Sequence, residues 1–215
     1  MQDSKSYKTP MAANTKLFIG DSEPYSDPTQ YRSTIGALQY LTMTRPDLSF
    51  VVNKLSQFLK NPSQLQWQAC KRVLRYIKGT LSFGLLIKPA KCFSIKVYID
   101  ADWAGNLSDR RSTSGFAMYF GGNLVQWGSR KQRVGALSST EAEYRAVSEA
   151  STEIAWLNSL LNELKLQCFS VPIIWCDNLS AGSLASNAVL HSRTKHIEID
   201  IHFVREQVTA KRLKV

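Results

Sequence analysis

Asp100 closes an apolar run, Val97-Tyr98-Ile99, and Asp177 closes another, Ile173-Ile174-Trp175-Cys176. In α/β sheets, ligand chemistry gathers outside the carboxyl ends of strands. Between the two runs, a long helical pattern carries Glu141 and Glu143 in its first turns. If the two strands are neighbours, an acid from that helix completes a cluster. Like charges that close repel and raise each other's pKa unless a cation neutralises them. An oxygen-only donor set suits Mg²⁺ or Mn²⁺. Two such ions, about 3.5–4 Å apart, can clamp the attacking and leaving oxygens of a phosphodiester cleavage. Singly, each acid has an ordinary structural use, as a turn residue or a partner of the helix dipole. Only the combination points to a metal.

The elements that must position these acids follow from periodicity. Residues 1–30 are polar and punctuated by Pro10, Pro24 and Pro28, an irregular lead-in. Three helical patterns follow, over 31–44, 48–60 and 63–78, with Pro46, Pro62 and Gly79 as stops. After Gly79 the pattern changes. Strands are predicted over 82–88, 94–99, 113–120 and 123–128, and Gly121-Gly122 marks a hairpin. A helix over 139–164 is introduced by the N-cap hydroxyls Ser138, Ser139 and Thr140. A strand over 172–176, a short helix after Asp177, a helix over 196–208 and a beginning strand at RLKV complete the order. This predicts a mixed α/β (α+β) sheet with helices packed on it. It follows a helical subdomain over 31–79, too small to be comfortable alone.

Of the 215 residues, 44% are apolar and 20% charged, which excludes disorder throughout. No apolar run approaches the ~20 residues that span a bilayer. The opening MQDSKSYKTPM lacks a signal-peptide core, so an intracellular location, cytoplasmic or nuclear, is expected. The four cysteines show no CxxC spacing, which argues against disulfides and a zinc knuckle. Net charge is +10, with 12 Lys/Arg against 5 Asp/Glu in residues 1–90 and 15 against 12 in the remainder. The excess therefore sits in the first half, and a polyanion such as nucleic acid is the natural partner.

YIDADWAG (98–105), RRSTSGF (110–116), LSSTEAEYRA (137–146), WCDN (175–178) and HSRTKHIEIDIHFVRE (191–206) together resemble the ribonuclease H domain of copia-type (Ty1/copia) retrotransposon Pol polyproteins. YRSTIGALQYLTMTRPDLSF and QWQACKRVLRYIKGT resemble the end of the reverse transcriptase in the same polyproteins. The resemblance implies three parts: the lead-in 1–30, a thumb- or connection-like tail 31–79, and a ribonuclease H-like domain 80–215. Such enzymes cut the RNA strand of an RNA–DNA hybrid with metals held by a D-E-D-D set. Asp100 matches the first acid, at the end of the first strand, and is preferred to Asp102 two residues on. Glu143 matches the second, because Ala146 and Ala150 stand at the family's offsets, where Glu141 has Tyr144 and Ser148. About 200° separates the two on a helix, so one cannot replace the other. Asp177 matches the third. The fourth belongs to an ADxxTK-like segment of a last helix, expected beyond Val215. Glu198 and Asp200, in the RTKHIEID block, are not that ligand. The implied partners are an RNA–DNA hybrid and the remaining reverse transcriptase.

The resemblance also points to backbone contacts. Lys71, Arg72, Arg75 and Lys78 suit a helix lying along a duplex, and Arg193, Lys195 and His196 suit hybrid contacts. Arg110 and Arg111, in a loop after the first acid's strand, and Arg130, Lys131 and Arg133, after the hairpin, are phosphate-gripping candidates. His191 or His196 could assist proton transfer. Trp103, Trp127, Trp156 and Trp175 are expected to pack in the core or against the subdomain. Two other functions compete. One is a catalytically dead nucleic-acid-binding remnant. The other is a phosphoaspartate phosphotransferase built on Asp100 and Asp102, disfavoured by Trp103 and by the lack of a later paired Asp.

Overall fold

The computed structural model describes residues 4–13, 15–166, 170–186 and 197–215. The chain divides into two units, Met1–Leu85 with Asn106–Asp109, and Leu86–Gly105 with Arg110–Val215.

The first unit holds helices α1 (Pro28–Leu41), α2 (Ser49–Ser56) and α3 (Gln64–Lys78), with a 3-10 turn at Pro46–Leu48. Asp27 caps α1 by accepting the Gln30 N–H. Ser63 and Gln66 cap α3 reciprocally. The lead-in has irregular backbone, yet Leu17 joins Tyr31, Ile35, Leu55 and Val73 in one core. An ion pair between buried Arg45 and exposed Asp47 ties the turn before α2 to the end of α3. Arg45 is 4% exposed and grips Asp47 through two nitrogens, at 2.9 and 2.8 Å. It also donates to the Thr80 carbonyl and hydroxyl, and the Tyr76 hydroxyl donates to Asp47.

The second unit holds strands β1 (Ile95–Asp102), β2 (Thr113–Phe120), β3 (Asn123–Lys131) and β4 (Ile173–Trp175), and helices α4 (Ser139–Glu163), α5 (Leu179–Ser186) and α6 (Glu198–Thr209). Sheet order is β3-β2-β1-β4, antiparallel except for the parallel β1–β4 pair. This mixed sheet is compatible with a ribonuclease H-like fold. Gly121 and Gly122 turn the β2–β3 hairpin at φ 59° and 84°, backbone that glycine adopts freely. Alternation sends Ile95, Val97 and Ile99 inward beneath Tyr144, Val147, Ala150 and Ile154 of α4.

Two expectations are corrected. Residues 82–88 form no strand, and Leu86 and Ile87 are exposed. The Lys88 N–H and carbonyl instead pair with the Asn123 side-chain amide, which ends the ladder. Three tryptophans are not core residues: Trp103, Trp156 and Trp175 are about half exposed. Trp175 lies on the outward face of the sheet, stacked 6.5 Å from Tyr98. Lys214 bridges Ile173 in parallel, where the final strand was expected.

Burial works to raise the Asp47 pKa, but hydrogen bonds from Arg45 and Tyr76 overcome it and hold the carboxyl below its usual range. The stability this contributes is full at neutral pH and is lost as pH falls through the lowered value. Asp47→Ala removes the carboxylate partner of the buried Arg45 guanidinium but leaves its Thr80 acceptors, and we expect a loss of about 1–2 kcal/mol in urea unfolding of the full chain at pH 7. That difference shrinks under acid.

Candidate metal centre

Parallel strands require a long crossover, which α4 supplies. The crossover forces β1 and β4 to end at the same edge of the sheet. Tyr98 pairs with Trp175, and two further residues on each chain lead to Asp100 and Asp177. Both carboxylates are exposed at these ends.

Glu143 reaches the same end from α4. It is 6% exposed, and its Oε1 accepts the Ala101 N–H at 3.0 Å, next to Asp100. Burial pushes its pKa above the ordinary 4.5, and the charges of Asp100 and Asp177 add to the rise. The Ala101 amide and the Cys176 thiol oppose it. Donor atoms of Glu143, Cys176 and Asp177 lie within 4.8 Å of one another. Asp100 stands outside that tight group and acts on Glu143 through its charge. These oxygens fit a hard divalent cation, whose charge would relieve the repulsion. Cys176 is a neighbour that the pattern reading did not assign to the site. Its only signal was its place immediately before Asp177. Burial, more than the adjacent acids, raises its thiol pKa.

The alternative acids are otherwise engaged. Glu141 is buried, pairs with Arg145 at 2.8 Å and accepts the Leu137 N–H at 2.8 Å. Asp102 turns its carboxylate against Gly105, so closely that a Cβ there would collide with it. Asp200 accepts from Ser148 Oγ at 2.8 Å, and exposed Glu198 lies 3.8 Å from His202.

The basic candidates divide. Arg110 and Arg111 are exposed in the loop after β1, with Arg110 at φ 56°. Arg130 is held by Glu149 and Glu153 of α4, each at 3.2 Å, so it is less free to grip phosphate than its sequence position implies. On α3, Arg72, Arg75 and Lys78 all donate to the segment around residues 4–9. Lys71 lines a cleft beside them. His191, Arg193, Lys195 and His196 lie outside the described residues. Among the described residues, no helix is long and apolar enough to cross a membrane.

Because Glu143 holds its proton more tightly in the folded chain, metal-free stability rises as pH falls through its raised pKa. Glu143→Gln should flatten that slope and hold or raise the metal-free Tm. Glu141→Gln should lower the Tm at neutral pH, because it weakens the Arg145 pair. Differential scanning calorimetry in EDTA separates the two.

No family model matches the chain. Across all 215 residues it is 47% identical to the retrovirus-related Pol polyprotein from transposon RE2 of Arabidopsis thaliana, and 46% to that from transposon RE1. It is 37% identical, over its whole length, to the corresponding polyprotein from transposon TNT 1-94 of Nicotiana tabacum. The chain spans 15–17% of the length of these relatives. The order of blocks in the sequence, the mixed sheet and the full-length likeness agree: the chain belongs to the family of copia-type retrotransposon Pol polyproteins, of which it corresponds to one segment.

Proposed function

We propose that the second unit is a ribonuclease H-type nuclease that cuts the RNA strand of an RNA–DNA hybrid within a Pol polyprotein. One observation carries this reading. The β1–β4 register sends Asp100 and Asp177 to one end of the sheet, and Glu143 is bound to the backbone beside Asp100. Asp100, Glu143 and Asp177 would hold Mg²⁺ or Mn²⁺, which supplies charge neutralisation and an activated water at a phosphodiester.

The protein's part is positioning. The Ala101 amide fixes one Glu143 oxygen, leaving the other turned toward Cys176 and Asp177. The carboxylates orient the water opposite the 3′-oxygen of the scissile bond. The water oxygen bonds to phosphorus as the P–O3′ bond breaks; the proton that the water loses passes to solvent, and the departing oxygen takes one from solvent, giving a 3′-hydroxyl and a 5′-phosphate. Exposed Arg110 and Arg111 are suited to steady the backbone. Lys71, Arg72, Arg75 and Lys78 supply a sequence-independent grip in the first unit, and Arg193, Lys195 and His196 remain candidates for a further one. The 2′-hydroxyl and A-like minor groove would distinguish the RNA strand.

The test is a labelled RNA–DNA hybrid incubated with the full chain and Mg²⁺ or Mn²⁺. We expect cleavage confined to the RNA strand, reduced more than about a hundredfold by Asp100→Asn, Glu143→Gln or Asp177→Asn. Cleavage indifferent to all three overturns the assignment. Tight, salt-sensitive binding without cleavage would instead mark a nucleic-acid-binding remnant.

A further inference from the structure

Residues 4–10 cross α3 as a strap. The Tyr7 ring lies 4.1 Å from both the Arg72 and the Arg75 guanidinium. Arg72 donates to Thr9 Oγ1 at 2.8 Å, Arg75 to the Lys5 carbonyl and Tyr7 hydroxyl, and Lys78 to the Ser4 carbonyl at 3.0 Å. Every acceptor among these is neutral. Between strap and helix runs a cleft of about 580 Å³, whose lining includes Tyr7, Thr15, Lys16, Gln68, Lys71 and Arg75 and no acid. Arg72 Nε is buried and makes no hydrogen bond.

The charge balance is one-sided. Lys5, Lys8 and Lys16 on the strap and its continuation meet Lys71, Arg72, Arg75 and Lys78 of α3, and neither residues 4–20 nor α3 contains an Asp or Glu. The contacts that Arg72 and Arg75 make with the strap are neutral oxygens and one aromatic ring, none of which offsets a positive charge. A phosphate oxygen makes charge-assisted hydrogen bonds roughly twice as strong as those neutral acceptors. One phosphate cannot balance seven cations. The span from Lys71 to Lys78 is about 10 Å at 1.5 Å per residue. Along the duplex axis that covers about three nucleotides of one strand, at 3.4 Å of rise each.

We propose that strap and α3 form a two-walled clamp for a nucleic-acid backbone, with Lys16 and Lys71 flanking a phosphate in the cleft and Tyr7 holding the strap closed. The clamp rests on the reading of α3 as a nucleic-acid-binding helix and is independent of the carboxylate centre. Bound phosphates would bridge cations on the two walls, so binding is stronger than α3 alone provides.

The experiment measures the affinity of the full chain for a labelled RNA–DNA hybrid in EDTA across a salt series. Lys71→Gln and Lys16→Gln are each expected to weaken binding about three- to tenfold and to reduce the salt slope by about 1. Tyr7→Ala, which frees the strap, should weaken binding at unchanged Tm. If Lys71→Gln weakens binding while Lys16→Gln and Tyr7→Ala do not, the helix binds alone and the clamp is refuted. If Tyr7→Ala tightens binding, the strap is a competitor and the clamp is equally refuted. If Lys71→Gln itself has no effect, the underlying reading of α3 fails.

Discussion

The parallel pairing of β1 with β4 is the constraint from which the candidate centre follows. Two strands joined in parallel need a crossover, and the 25 residues of α4 provide it. The crossover brings two strand-end carboxylates to one edge and lays a third acid over them. Their proximity is costly without a cation, because burial and like charge both disfavour ionised Glu143. The core compensates: Tyr144, Val147 and Ala150 are fully buried against the sheet on the same helix that carries Glu143. Packing thus holds the acids where electrostatics alone would separate them.

The first unit solves the opposite problem, an excess of cations. Arg45 is buried with a carboxylate, two threonine oxygens and the Tyr76 ring, so its charge is fully served. Arg72 and Arg75 of α3 instead meet a carbonyl, hydroxyls and an aromatic face. The two guanidinium environments differ in kind. One fixes the fold, and the other leaves positive potential directed outward.

Much of the fold was legible because its signals are local. Ser138 at the start of α4 and Gly121-Gly122 at the hairpin each act within a few residues. The failures share a different cause. Residues 82–88 have strand-like composition, but a strand needs a partner, and the Asn123 side chain takes the Lys88 backbone groups instead. Trp175 is apolar and lies in a strand, yet alternation places it on the outward face, a matter of sheet register rather than residue type. Cys176 drew no notice because neither its spacing nor its type marks it until Glu143 arrives from another element.

Periodicity, caps, turn residues and charge are properties of neighbouring residues, so the order of elements, the basic character of α3 and the candidate acids could be read from the chain alone. The resemblance favours Asp100 over Asp102 and Glu143 over Glu141, but what engages the alternatives could not be read there: Asp102 lies against Gly105 and Glu141 pairs with Arg145, contacts set by the fold. The strap over α3 is likewise a long-range contact, joining residues more than sixty positions apart. Distances between elements arise only when their apolar faces are buried together, and no local pattern encodes them.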